Sequence, residues 1–165
     1  MYEHTSYPLR EGLIEAHEKV WESIAEPGPF WTGTERIAMV VESRAATSCR
    51  LCAKRRQALS PYAVDGVHDN ETDLDAVIVD MIHRVRSDPG RITRNMFDQV
   101  MAAGITPEHY IEIVGVVNSS VIIDTLHAAL GLSLAELPTP QPDAPTGQPR
   151  ANVTDGGAWV PIAVG

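Results

Sequence analysis

The sequence predicts an all-α fold, a helical bundle over residues 1–131 followed by an extended, proline-rich C-terminal tail over 132–165. Apolar residues recur at three- and four-residue spacing along six segments, which is the pattern of amphipathic helices. No segment alternates apolar and polar residues for long enough to build a sheet. Aromatic residues make up only 5% of the chain, which favours an aliphatic helical core.

The first half of the chain contains three predicted helices. Residues 9–25 form the first, and Glu-Pro-Gly-Pro at 26–29 ends it because proline cannot continue a helix. The second begins after a threonine N-cap, at Thr32 or Thr34, and ends near Thr47. The third is predicted from an N-cap at Ser48 to about Leu59.

The second half contains three more helices and the tail. The fourth is predicted from Thr72 or Asp73 to residue 87, the fifth over about 93–103, and the sixth over 106–131. The sixth is apolar over much of its circumference, which predicts the central position. Five prolines between 138 and 149 predict an extended tail, and the apolar residues 159–162 are expected to dock on the body or on a neighbouring subunit.

Charge and composition exclude several classes of function. The formal net charge of −9 disfavours nucleic acid and anionic membrane surfaces as partners, because both need a concentrated positive face. The start has no secretory signal, and the apolar segment 113–123 is too short for a membrane helix. A cytoplasmic location is therefore expected. In such a reducing compartment, two cysteines favour catalytic, redox or metal use over a structural disulfide.

The two cysteines stand at Cys49 and Cys52, at the predicted start of the third helix. A thiolate is the reactive form of cysteine, and a helix N-terminus favours negative charge. Nearby cations add to this effect: Arg50, Lys54, Arg55 and Arg56. The i, i+3 spacing also permits a disulfide, so the stretch has what a dithiol that reacts with peroxides or disulfides needs.

A metal site and a pair of inert core cysteines are the alternatives. A CxxC can be half of a zinc site, but neither a second CxxC nor a His-x3-His completes it. His68 or His83 could add one ligand, which would still leave the tetrad incomplete. The sequence therefore predicts no metal and no cofactor. The basic residues around the cysteines argue against an inert buried pair.

A resemblance to a known family adds to this interpretation. A helix, then Glu-Arg-Ile-Ala-Met-Val-Val-Glu-Ser-Arg-Ala-Ala at 35–46, then Cys-x-x-Cys, resembles the alkyl hydroperoxidase D and carboxymuconolactone decarboxylase superfamily. Residues 34–64, Asp-Pro-Gly-Arg-Ile-Thr-Arg at 88–94 and Gly-Gly-Ala-Trp-Val-Pro at 156–161 are similar to its alkylhydroperoxidase-related (seleno)protein branch. The resemblance implies an all-helical bundle that forms homo-oligomers. It also implies a thiol peroxidase that acts on hydroperoxides and is reduced by a dithiol donor.

The resemblance also implies roles for individual residues. Cys52 matches the peroxidatic cysteine, which becomes a sulfenic acid, and Cys49 matches the partner that donates a proton and closes the disulfide. The family histidine four residues after the second cysteine is replaced here by Arg56. The family glutamate has no clean match, because Glu35 and Glu42 lie on either side of its position. Arg56 could stabilise a thiolate but could not act as a general base.

Other histidines could replace the missing one. His68 follows the CxxC helix and precedes Asp69, which makes it the candidate to replace the family histidine. His83 and His127 each have an aspartate three residues earlier, a spacing that can hold an imidazole tautomer but more often forms a hydrogen bond on the helix surface.

The sequence thus predicts a thiol-dependent peroxidase, or dithiol–disulfide oxidoreductase, with an antioxidant role. The alternative is a non-catalytic helical module for oligomerisation or redox sensing, in which the CxxC toggles a disulfide. Lactone decarboxylation is disfavoured because that chemistry does not need a CxxC.

Overall fold

The protein is mostly helical, and its computed structural model describes residues 1–149 and 151–164. Six α-helices follow one another: α1 (Glu11–Ala25), α2 (Gly33–Ala45), α3 (Arg50–Gln57), α4 (Ala76–Ser87), α5 (Arg94–Ala102) and α6 (Pro107–Ala129). Two 3₁₀ turns occur at Pro61–Ala63 and Pro89–Arg91. All six helices lie within the segments predicted from the sequence, with ends that differ by a few residues.

The starts of α2, α4 and α6 follow from their capping residues. Thr32 accepts a hydrogen bond from the Glu35 backbone N–H, and the Glu35 carboxylate accepts one from the Thr32 backbone N–H, so the two form a capping box. Asp75 caps α4, so that helix begins later than the predicted cap at Thr72 or Asp73. Thr106 caps α6, with Pro107 in its first turn.

The core lies where α1, α2, α4 and α6 pack against one another. Fully buried aliphatic side chains from three of these helices fill it: Met39, Val40, Ile82, Ile113 and Val117. Among the described residues, α6 is the one helix long and apolar enough to cross a membrane by length and composition alone. Core helices of soluble proteins share this property, and α6 contacts α1, α2 and α4.

The tail contacts the helical body at several points. The Trp21 indole N–H donates to the Glu136 carbonyl (2.8 Å), and the Gln141 backbone N–H donates to the Ala25 carbonyl (2.9 Å). Further along, the strands β1 (Val153–Thr154) and β2 (Ile162–Ala163) pair antiparallel. This two-stranded ribbon is a small departure from the expected absence of any sheet.

Candidate functional site

Four side chains from three separate parts of the chain meet at the start of α3. Cys49 and Cys52 come from α3 and its N-cap, His68 from the connection between α3 and α4, and His83 from α4. Their ligand-type atoms, two sulfurs and two ring nitrogens, all lie within 4.8 Å of one another. Both cysteines are free thiols and are 2% exposed, so the cluster is shielded from bulk water.

The N-terminus of α3 differs from the prediction in its capping residue. The helix begins at Arg50, and Cys49 itself occupies the N-cap position that was predicted for Ser48. The Ser48 hydroxyl instead donates back to the Ala45 carbonyl. Asp69 takes over the capping role, because its carboxylate accepts a hydrogen bond from the Arg50 backbone N–H (2.9 Å).

His68 contacts both sulfurs through one ring nitrogen. Its Nδ1 lies 3.4 Å from the Cys49 sulfur and 3.6 Å from the Cys52 sulfur. The other ring nitrogen, Nε2, lies 2.9 Å from an Asp80 carboxylate oxygen. Arg55 and Arg84 also donate to Asp80, at 2.6 and 2.7 Å. The carboxylate therefore fixes the orientation of the ring, and the two arginines hold the carboxylate.

His83 makes a second arrangement of the same kind, and its ring centroid lies 4.2 Å from that of His68. Its Nδ1 lies 3.3 Å from the Cys52 sulfur, and its Nε2 lies 3.0 Å from the Glu42 carboxylate. Both His83 and Glu42 are fully buried. The other Glu42 oxygen accepts hydrogen bonds from the Glu71 backbone N–H (2.9 Å) and the Thr72 hydroxyl (2.7 Å). Every polar atom of the Glu42 side chain is thus satisfied, as a buried carboxylate requires.

These contacts shift the protonation of the cysteines. Burial raises the pKa of the Cys52 thiol, but hydrogen bonds from His68 and His83 outweigh burial and lower that pKa to about 5. Burial also raises the pKa of Cys49, where interactions with the backbone N–H groups of Cys52 and Asp69 and with His68 produce a net lowering. Cys52 therefore favours the thiolate at neutral pH.

The histidines and their carboxylates shift in the complementary direction. Burial lowers the pKa of His68, but the hydrogen bond to Asp80 and the contacts with both sulfurs raise it to about 10. The pKa of His83 is also raised, because its contacts with Cys52 and Glu42 outweigh burial. The pKa values of Glu42 and Asp80 are lowered by the donors around them despite burial. At neutral pH the cluster therefore favours a thiolate beside an imidazolium.

The other residues singled out from the sequence fall into two groups. Glu42 and His68 lie in the cluster, whereas Glu35 forms the capping box of α2. Arg56 is exposed on α3, and within residues 1–149 and 151–164 its side chain makes no hydrogen bond or ion pair. The neighbouring Arg55 is the α3 cation that reaches the cluster, through Asp80.

The contacts that His83, Asp80 and Asp69 make at the cluster were not predicted from the sequence. His83 was expected to pair with Asp80 along α4, but it turns to Glu42 and Cys52, while Asp80 pairs with His68. Asp69 caps α3. The available signal was the position of His83 within the apolar face of α4, next to Met81 and Ile82, because a histidine buried there needs a polar partner from another helix.

A narrow cavity reaches the cluster from the outside. It has a volume of about 10 Å³, close to the space of one water molecule, and Cys52 and His68 line it together with Arg84. A larger apolar pocket of about 270 Å³ lies next to it between α4, α5 and α6. Arg84, Ile92 and Met96 line both spaces. Cys52 thus faces a small space, lined mainly by polar residues, that borders an apolar pocket.

No family model, curated protein or solved structure matches this chain. The function must therefore be argued from the cluster.

Proposed function

We propose that the protein is a thiol-dependent peroxidase that reduces hydroperoxides through Cys52 and Cys49, within a bundle of the alkyl hydroperoxidase D type. One observation carries the proposal: the Cys52 sulfur lies 3.3 and 3.6 Å from two imidazole nitrogens, and each ring is held by a carboxylate on its far side. The family resemblance of the CxxC and its flanking helices is consistent with this chemistry.

The first half of the reaction is attack by the Cys52 thiolate on one oxygen of the hydroperoxide. The S–O bond forms as the O–O bond breaks, so sulfur is oxidised to the sulfenic acid and the peroxide is reduced. The leaving alkoxide needs a proton, and an imidazolium at His68 or His83 can donate it, giving the alcohol. Arg56 has no part in this proton transfer. His68 and His83, which come from other segments, replace the histidine that the resemblance implies at position 56.

The second half closes the disulfide. The Cys49 sulfur attacks the Cys52 sulfenic sulfur, the S–S bond forms, and hydroxide leaves as water with the Cys49 proton. His68 contacts both sulfurs and can pass that proton between them. A dithiol donor then reduces the disulfide by thiol–disulfide exchange. In total, two thiols and one hydroperoxide give one disulfide, one alcohol and one water.

The apolar pocket favours an organic hydroperoxide as substrate. Its 270 Å³ can receive an alkyl group, while the narrow cavity beside Cys52 admits the hydroperoxide group. We therefore expect a lower KM for an organic hydroperoxide than for hydrogen peroxide.

A redox-sensing module is the second candidate, and the two free thiols that lie together beside His68 favour it. A sensor needs one oxidation event and no rapid turnover, and a cysteine with lowered pKa next to a second cysteine can form one disulfide. Steady-state turnover with a dithiol donor separates the candidates, because a sensor is oxidised once and does not cycle at a useful rate.

The proposed peroxidase is tested by treating reduced, metal-free protein with one equivalent of hydroperoxide, followed by mass spectrometry. We expect a Cys49–Cys52 disulfide in the native chain and a trapped sulfenic acid on Cys52 in Cys49→Ser. The Cys52→Ser variant should lose turnover. Retained turnover in Cys52→Ser, or the absence of both disulfide and sulfenate in the native chain, would refute the proposal.

We also propose that the chain forms homo-oligomers, as the resemblance implies. Two large apolar side chains on α6 support this, since Ile111 is 48% and Ile122 is 60% exposed. Light scattering should give a mass that is a multiple of 18.0 kDa, and Ile122→Glu should shift it toward one chain.

A further inference from the structure

We propose that the same cluster is a zinc site, in which Cys49, Cys52, His68 and His83 bind one Zn²⁺ ion in tetrahedral geometry. The sequence provided only the CxxC half of such a site. The structure brings two histidines to it from 16 and 31 residues beyond Cys52. Two cysteines and two histidines are a common ligand set of tetrahedral zinc in proteins.

The distances within the cluster match those between ligands of one zinc ion. With zinc–sulfur bonds near 2.3 Å and zinc–nitrogen bonds near 2.0–2.1 Å, a tetrahedral angle separates sulfur from nitrogen by about 3.5–3.6 Å. The three recorded sulfur–nitrogen distances are 3.3, 3.4 and 3.6 Å. The remaining pairs lie within 4.8 Å, so small side-chain rotations would complete the tetrahedron.

The surroundings of the ligands support the same conclusion. Both histidines present Nδ1 to the sulfurs and Nε2 to a carboxylate, Asp80 for His68 and Glu42 for His83. This arrangement of carboxylate, histidine and metal fixes the ring orientation and increases the basicity of the ligand nitrogen. Two thiolates also neutralise the charge of Zn²⁺, which a buried site requires.

Metal binding and peroxide reduction exclude each other at this site. Zinc would occupy both thiolates, so the ion would protect them from hydroperoxides and alkylating agents. When the two bound thiolates are oxidised, one hydroperoxide and two protons give the disulfide, one alcohol and one water, and the ion is released. Zinc would then inhibit the proposed peroxidase until strong oxidation releases the ion.

The test is an anaerobic titration of the reduced, chelator-treated full chain with Co²⁺ and then Zn²⁺. Tetrahedral Co²⁺ with thiolate ligands gives intense visible bands and a thiolate-to-metal charge-transfer band. We expect one ion per chain, displacement of Co²⁺ by Zn²⁺, and loss of the charge-transfer band in the double variant Cys49→Ser/Cys52→Ser.

Two further variants separate ligation from folding. Glu42→Gln keeps all four ligands and should weaken Zn²⁺ binding roughly 10–100-fold, because it removes the negative charge of the carboxylate behind His83. His4→Gln changes an exposed histidine outside the cluster and should leave the affinity unchanged.

The possible results each decide the question. No binding to the folded native chain, a Co²⁺ spectrum without thiolate charge transfer, or one ion per two chains would overturn the proposed site. The peroxidase is measured separately on metal-free protein. A chain that turns over hydroperoxide but fails to bind zinc would refute the zinc site alone. A chain that binds zinc but, when metal-free, fails to turn over hydroperoxide would refute the peroxidase alone.

Discussion

Cys52 owes its expected reactivity to two imidazoles that contact one sulfur. The cations of α3 do not give the same effect, because two of the four form ion pairs with aspartates. Arg50 binds Asp69, and Arg55 binds Asp80. The charge next to the sulfur comes from His68 and His83.

The first prediction concerns the pH at which Cys52 ionises. Its pKa is lowered to about 5, so the thiolate should persist as the pH falls from 8 and disappear only as the pH falls through about 5. An ordinary cysteine loses its thiolate near ~8.5. The measurement is the ultraviolet absorbance of the thiolate in reduced, metal-free Cys49→Ser, with Cys52→Ser as the control for the other sulfur. A midpoint near the ordinary value would contradict it.

The second prediction compares two neighbouring arginines. Arg55→Ala removes a donor from Asp80, which orients His68, so we expect the rate constant for hydroperoxide to fall about tenfold. A hydrogen bond between charged groups contributes ~1.5–3 kcal/mol, enough for that change. Arg56→Ala is the matched control, since Arg56 is exposed, and should retain the native rate. Stopped-flow kinetics measures both, and equal rates in the two variants would contradict the assigned role of Arg55.

At the scale of single elements, α2 links helix capping to the cluster. Its capping box fixes the N-terminus, and Glu42 near its C-terminus reaches His83 in α4. The register of α2 therefore decides where the Glu42 carboxylate lies.

The third prediction tests that capping box. Thr32→Ala should lower the free energy of unfolding by ~1 kcal/mol, because it leaves the Glu35 backbone N–H without its side-chain acceptor. Thr34→Ala replaces the alternative predicted cap, which is exposed inside α2, and should change stability by less than ~0.5 kcal/mol. Urea unfolding monitored by circular dichroism measures both. A larger loss in Thr34→Ala would show that the cap was assigned to the wrong residue.

At the scale of the whole molecule, the end of α1, the start of α2 and the tail meet at one point. The Ala25 carbonyl accepts a hydrogen bond from the Gln141 backbone N–H, and Gly33 packs directly against that carbonyl. A side chain at position 33 would therefore collide with the backbone to which the tail is bound.

The fourth prediction follows from this close approach. Gly33→Ala should lower the free energy of unfolding by roughly 1–3 kcal/mol, because neither the helix nor the carbonyl can move freely. Gly115→Ala is the control. It lies exposed in the interior of α6 with no atom near the added methyl, and should raise stability by up to ~1 kcal/mol. Equal effects of the two substitutions in urea unfolding would contradict the packing at Gly33.

The helices could be predicted from the sequence because their determinants are local. Apolar spacing, the threonine caps and the prolines act within one or two turns, so all six helices were found. Ser48 shows the limit of this reasoning. It is a good N-cap by residue type, but Asp69, 19 residues beyond Arg50, caps the helix instead.

The sequence by itself thus determined the helical architecture and the closeness of Cys49 and Cys52, because both cysteines lie within four consecutive residues. Only the tertiary structure decided which groups surround that pair. Glu42 and His83 are 41 residues apart, and they meet because α2 packs on α4. A buried carboxylate, imidazole and thiol must satisfy one another once water is excluded, and no local pattern reveals which partners the packing will provide.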